Sequence, residues 1–308
     1  MFGLILMIIS TIIGAGFATG AELIAFFGNS TLPPVAVALI VGVFLFAIMS
    51  IIAFNIERIL PVWLIKSISF VFLVAMIAGT AELTGYAFAA FAIAACLVVI
   101  WVGFEKAVAI NKYLMGFALI VLLFVALKNS NGILGRTNEA PNYSATLLMA
   151  LLYSAMNCFM LFALFKEAGH KRTRSEILIA GGFSAIIVSF FVLVILTAVR
   201  THNVAHLSMP LLGLSSSRFT WFAILICIIT SMYFAILGIA TNKNKKCTHI
   251  SAHLIALCTA AWCLSFFGFK KVVSVFYPIV GLVMIIYVLF VSFLWWKSYS
   301  VYRRTRGR

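Results

Sequence analysis

Apolar runs of roughly twenty residues follow one another along almost the whole chain, each long enough to cross the ~30 Å hydrocarbon core of a bilayer as an α-helix. So much apolar surface cannot be hidden in a single soluble core: of 308 residues, 65% are hydrophobic and 9% charged. The runs are apolar on every side, where the strands of a membrane barrel would alternate, and the sequence therefore predicts an all-α polytopic membrane protein. With Pro, Gly and charge clusters as breaks, ten transmembrane helices fall near residues 4–28, 34–56, 62–84, 86–104, 109–127, 144–165, 176–199, 219–241, 250–267 and 272–296. Polar interruptions are sparsest between Leu60 and Lys128, where a shorter pair or a re-entrant element is the alternative to spans three to five. The first run has no basic segment ahead of it and passes into further apolar helix, so it reads as a retained span and not a cleaved leader.

Lys and Arg distribute unevenly over the loops that these spans imply. With both termini cytoplasmic, sixteen basic residues fall on that face and six (Lys128, Arg136, Arg200, Arg218, Lys270 and Lys271) on the other. The formal net charge of +15 thus belongs to loops at a membrane surface and does not point to nucleic acid. Spans one to five fill residues 4–127 and spans six to ten residues 144–296, on either side of a polar linker from Lys128 to Tyr143, and residues 297–308 form a basic cytoplasmic tail. Five spans per half make the halves enter the membrane from opposite faces. Residues 1–308 therefore read as one transmembrane domain built from an inverted repeat.

The first span is not a plain helix, because Gly14, Gly16 and Gly20 stand among Ser10, Thr11, Thr19 and Glu22. Glycine tolerates the backbone angles of unwound helix, and an interrupted membrane helix frees main-chain groups to hold a solute or an ion. N–H groups near Thr19 would suit an anionic group such as a carboxylate, and the carbonyls from Ser10 to Ile13 a cation. Close packing of small residues against another helix is the plainer alternative, but it does not call for hydroxyls and an acid nearby. In the sixth span Asn157 is an isolated amide, with Tyr153 and Ser154 one turn earlier, at a depth matching the first break. The candidate solute-binding residues are Gly14, Ala15, Gly16, Phe17, Thr19, Gly20, Tyr153, Ser154 and Asn157, with helices 1 and 6 discontinuous.

Glu22 and Glu82 are the acids that fall inside spans, and an ionised carboxylate there needs a cation, a hydrogen-bonded network or a proton. Both are candidate proton carriers. Thr230 and Ser231 lie near the middle of the eighth span and, with carbonyls of Ser10 and Ile13, would make a hard-oxygen set for Na+, unless each hydroxyl bonds back to its own helix. The five histidines lack metal-ligand spacing, and the six cysteines, free of CxxC pairs, read as small apolar side chains. Gly14-x-Gly16-x-x-x-Gly20 has no strand before it, no nucleotide loop or catalytic constellation occurs, and no cofactor is implied. The chain does not read as an enzyme. Its energy source is then a Na+, H+ or solute gradient.

The stretch ThrIleIleGlyAlaGlyPheAlaThrGlyAlaGlu, residues 11–22, followed by Phe26, Phe27 and Gly28, resembles the YkvI-type bacterial membrane proteins, within the amino acid–polyamine–organocation transporters. That resemblance implies the LeuT-like five-plus-five fold and a bacterial inner-membrane location. It also implies a central site between the unwound middles of spans one and six, and a sodium site at Ser10, Ile13, Thr230 and Ser231. Two positions depart from the family pattern: Ala21 stands where a Gln commonly precedes the Glu, and Asn157 where many amino-acid transporters have glycine.

Residues and resemblance together lead to one expectation, secondary transport of a small organic solute, an amino acid or related amine, coupled to Na+ or H+ by alternating access. The expected partners are that solute and the lipid bilayer. A membrane-embedded ligand receptor of the same fold, of the germinant-sensing kind, is the alternative, binding at the same broken helices without net flux.

Overall fold

A computed structural model of the chain describes residues 2–54, 61–102, 104–130, 142–159, 161, 173–202, 204–215, 217–240 and 252–306. The linker at 131–141, most of the last six residues of the expected sixth span and the basic stretches at 162–172 and 241–251 lie outside the described residues.

Every extended element is helical, and no strand occurs among the described residues. In chain order the helices are α1 (Phe2–Ile12), α2 (Ala15–Thr19), α3 (Ala21–Phe27), α4 (Pro34–Phe54), α5 (Val62–Thr84), α6 (Tyr86–Val102), α7 (Phe104–Lys128), α8 (Tyr143–Cys158), α9 (Arg174–Thr201), α10 (Pro210–Leu214), α11 (Arg218–Ala240), α12 (Ala252–Leu264) and α13 (Phe269–Arg306). Local chemistry sets several of these ends. Proline opens α4 and α10, where its missing N–H costs nothing. A capping box between Thr173 and Glu176 starts α9, and the Asn142 side chain accepts from Ala145 N at the start of α8. Gly85, at φ 93°, turns the chain between α5 and α6 within the sparse region from Leu60 to Lys128. Helix α13 runs on through Arg306, joining the last span to the basic segment that follows it.

Residues 34–54, 62–84, 174–201, 218–240 and 269–293 are each long and apolar enough to cross a membrane, and shorter apolar helices lie at 3–12, 86–100, 113–128 and 252–267. Their outer faces are apolar too: Ile120 is 71% exposed, Val43 67% and Leu289 63%. Helices that are hydrophobic all round, with large aliphatic side chains facing outward, fit hydrocarbon and not water. The protein is an all-α, multi-pass membrane protein.

The broadest packing joins α4 to α9, α5 to α11 and α8 to α13, with further contacts of α4 with α8, α1 with α9, α7 with α11, α5 with α13, α6 with α11 and α5 with α12. Small residues allow the closest of these approaches, Gly42 against Ser189, Gly238 against Ser69 and Gly281 against the Leu152 backbone. Around α2 and α3 sit four of the largest fully buried side chains, Phe17, Phe27, Tyr153 and Tyr277. The first span is therefore the centre of the bundle.

Candidate functional site

Two interruptions divide the first span. At the first, Ile13 N still bonds Ile9 O at 2.8 Å, but Gly14 N turns back to Ile12 O at 2.9 Å and Gly14 itself is extended. The last carbonyls of α1 and the first N–H groups of α2 are left without partners in their own helices. At the second, Gly20 adopts the left-handed conformation (φ 80°) that side-chain-bearing residues rarely take, and α3 restarts at Ala21. Thr19 stitches this joint, its hydroxyl donating to Gly16 O at 3.0 Å and accepting from Ala21 N at 3.3 Å. The expected free N–H groups near Thr19 are thus partly satisfied within the chain.

Glu22 occupies the first turn of α3, where a carboxylate is favoured by the helix dipole, and is 3% exposed. Its side chain folds back over Gly16, so closely that a methyl group added there would lie 2.6 Å from the carboxyl carbon. Oε2 is buried with no hydrogen-bond partner. The Tyr277 hydroxyl is likewise buried and unpartnered, the Tyr153 hydroxyl is buried beside the Asn157 side chain, and both lie within electrostatic reach of Glu22. Aromatic neighbours fix these rings: Tyr153 meets Phe26 and Phe27 edge-on at 5.4 Å, and Tyr277 lies 5.1 Å from Phe72.

Glu22 opens onto a cavity of ≈ 40 Å³ lined by Ser10, Thr11, Ile12, Gly14, Phe72, Met76, Met156, Asn157, Ser231 and Phe234. By the ~10–15 Å³ that one water requires, this holds about three waters or a small head group, and not a whole amino acid. Gly14 brings the chain close to α11, since a methyl group there would stand 3.1 Å from the Ser231 hydroxyl. Asn157 faces the cavity from α8, its amide donating to Tyr153 O at 3.0 Å. Within α8 the helix is continuous through Ser154 and Asn157 and ends at Cys158, where Phe159 N turns back to Met156 O at 3.1 Å; beyond it, Phe159 and Leu161 are the described residues of the expected sixth span.

Of the candidate residues, Ser10, Gly14, Glu22, Asn157 and Ser231 therefore converge on one chamber, with Gly16 beneath the Glu22 side chain. Others surround it as packing: Ala15 and Ile13 are fully buried, Phe17 meets Phe191 at 6.5 Å, Gly20 abuts Pro210 and Leu211, and the Ser154 hydroxyl bonds Val41 O at 3.4 Å. Thr230 is apart from them. Its hydroxyl bonds back to Ile226 O at 2.9 Å and Cys227 O at 3.1 Å and touches the Met115 sulfur. Glu82 is exposed at the far end of α5, beside a surface depression that also takes in Tyr86, Lys270 and Lys271.

Sequence reasoning passed over the apolar walls, Phe72, Met76, Met156 and Phe234, and the buried Tyr277. Only the placing of Tyr277 directly before Pro278, the proline inside α13, marks it in the sequence. Among the described residues no cluster of His, Cys, Asp and Glu is arranged to hold a metal ion, and Cys96, Cys158, Cys227 and Cys258 are free and buried. No protein-family model matches the chain, and no curated protein matches it.

Proposed function

We propose that the chain is a secondary transporter of a small organic solute, an amino acid or related amine, that works by alternating access on a Na+ or H+ gradient. The observation that carries this reading is the first span, interrupted at Gly14 and Gly20 in the middle of the bundle, with Glu22 folded back over Gly16 beside a small chamber that has apolar walls and a few polar groups. A helix bought only for its packing has no use for either feature. Ten spans in a LeuT-like five-plus-five arrangement are supported by the way packing recurs between the halves. The contact of α1 with α9 (spans one and seven) has its counterpart in α8 with α4 (six and two), and that of α5 with α13 (three and ten) in α11 with α7 (eight and five). Spans four and eight, α6 with α11, match spans nine and three, α12 with α5. Such pairing is what a two-fold-related inverted repeat requires.

The chamber's small volume fits an occluded conformation, and a larger solute enters only when the helices part. Uptake of radiolabelled amino acids, amines and nucleobases into proteoliposomes, under imposed Na+ or H+ gradients, tests the proposal. Gradient-stimulated accumulation of at least one solute is expected; its absence across the whole panel, with ligand binding retained, would favour the receptor. Gly16→Ala gives a sharper reading within the same assay. The new methyl group displaces the flexible Glu22 side chain and leaves the backbone alone, so uptake is expected to fall about tenfold or more while stability changes by less than about 1 kcal/mol.

A further inference from the structure

We infer that the Glu22 chamber is a subsite for a primary ammonium group, R–NH3+, so that the solute enters amine-first and its charge is matched by Glu22. The inference deepens the transport proposal by naming the solute's class, but binding at this subsite does not require that transport occur. Charge comes first. Among the described residues, Glu22 is the single ionisable side chain lining the chamber, and no Lys, Arg or His lines it. A ligand carboxylate placed here would face Glu22 with nothing to offset the repulsion.

The hydrogen-bond inventory points the same way, because the Glu22 carboxylate has acceptor capacity to spare while several neighbouring donors are committed. Glu22 Oε2, an acceptor when the carboxylate is ionised, is buried in the wall without a partner, a state that native interiors seldom leave unexplained. Several of the nearby protons are spent. Ser10 and Thr11 both donate to Met7 O, at 3.0 and 2.7 Å, and the Asn157 amide donates to Tyr153 O. An alkylammonium group brings three donors and no acceptor, which is the complement of this set.

An inorganic cation fits less well. Sodium needs several hard oxygens around it, yet the Thr230 hydroxyl is turned to its own helix and to Met115, and much of the wall is Phe72, Phe234, Met76 and Met156. Aromatic and thioether surfaces instead suit an organic cation, whose charge the rings attract and whose first methylenes they cover. The ≈ 40 Å³ volume accepts such a head group, and the rest of the solute lies outside it.

Thermal unfolding of the full chain in nanodiscs tests this with methylammonium as the probe, and with sodium, tetramethylammonium and acetate as comparisons. In the wild type, methylammonium near saturation is expected to raise the unfolding temperature by ~5 °C, and the comparison ions by much less. Glu22→Gln, nearly isosteric, is expected to abolish that rise. Retention of the full shift in Glu22→Gln would overturn the inference, as would a shift produced by sodium or acetate alone, or none from methylammonium in the wild type. Should Glu22→Gln fold poorly, Glu22→Asp keeps the charge with a shorter reach, and a methylammonium affinity equal to that of the wild type counts against the site. The two proposals fail separately: methylammonium binding without gradient-driven uptake refutes transport alone, whereas unimpaired amino-acid uptake by Glu22→Gln refutes the ammonium subsite alone.

Discussion

Gly281→Leu is expected to destabilise the fold by about 3–5 kcal/mol, at or beyond the upper end of what overpacking a core normally costs. Helix α13 crosses α8 at this glycine so tightly that a methyl group would overlap the Leu152 carbonyl oxygen, with the carbonyl carbon at 2.9 Å and the Cα at 3.1 Å. All three obstacles are main chain, and no rotamer change relieves them. The helices must separate, and separation would strip the close contact from one of the most extensive interfaces in the bundle. Gly116→Leu is the matched control, since a methyl group at Gly116 meets nothing within 4 Å and the substitution replaces a poor helix former. Unfolding temperatures of the two variants in the same detergent decide the matter. Equal values would mean that α8 and α13 do not pack through Gly281 in the membrane-embedded protein.

How much of this was legible in the sequence depended on whether the signal was local. Glycine at 14 and at 20 marks both interruptions of the first span, because backbone freedom is a property of the residue itself. Helix ends at Thr173, Pro34 and Gly85 could be read for the same reason. Side-chain direction was not local. Thr230 and Ser231 are adjacent in sequence, but neighbours on an α-helix point about 100° apart, so of the two only Ser231 lines the chamber while Thr230 meets α7. Glu22 reads in the sequence as an acid near the end of a span; its return over Gly16 depends on a rotamer that tertiary packing selects. Tyr277 meets Phe72, a wall of the chamber, from the far end of the chain, and no periodicity within α13 encodes that contact.

Arg200 carries the other large expected effect, and its role also lay beyond the reach of charge counting. As one of the few basic residues on the sparsely charged face it served only to set orientation, yet its guanidinium donates to Leu32 O at 2.7 Å, Phe27 O at 2.9 Å and Ser30 O at 2.8 Å. Phe27 is the last residue of α3, so the cation also sits where the helix dipole is negative. The same turn is tied to α8 through Ser30 and Thr146, whose hydroxyls lie 2.9 Å apart, and through Asn142 N donating to Thr31 Oγ1 at 2.8 Å. One residue thus holds the end of the half-helix that carries Glu22 against α9. Charge-assisted hydrogen bonds contribute more than neutral ones, and with Arg200 only half buried some are replaced by water, so Arg200→Ala is expected to cost about 2–4 kcal/mol. Arg200→Lys is expected to recover less than half of that, because a single ammonium cannot span three carbonyls as a planar fork does. Hydrogen exchange at residues 21–27 provides the check. Faster exchange there in both variants, with α12 unchanged, is the expected result, and wild-type protection in Arg200→Ala would show that the clamp does not secure α3.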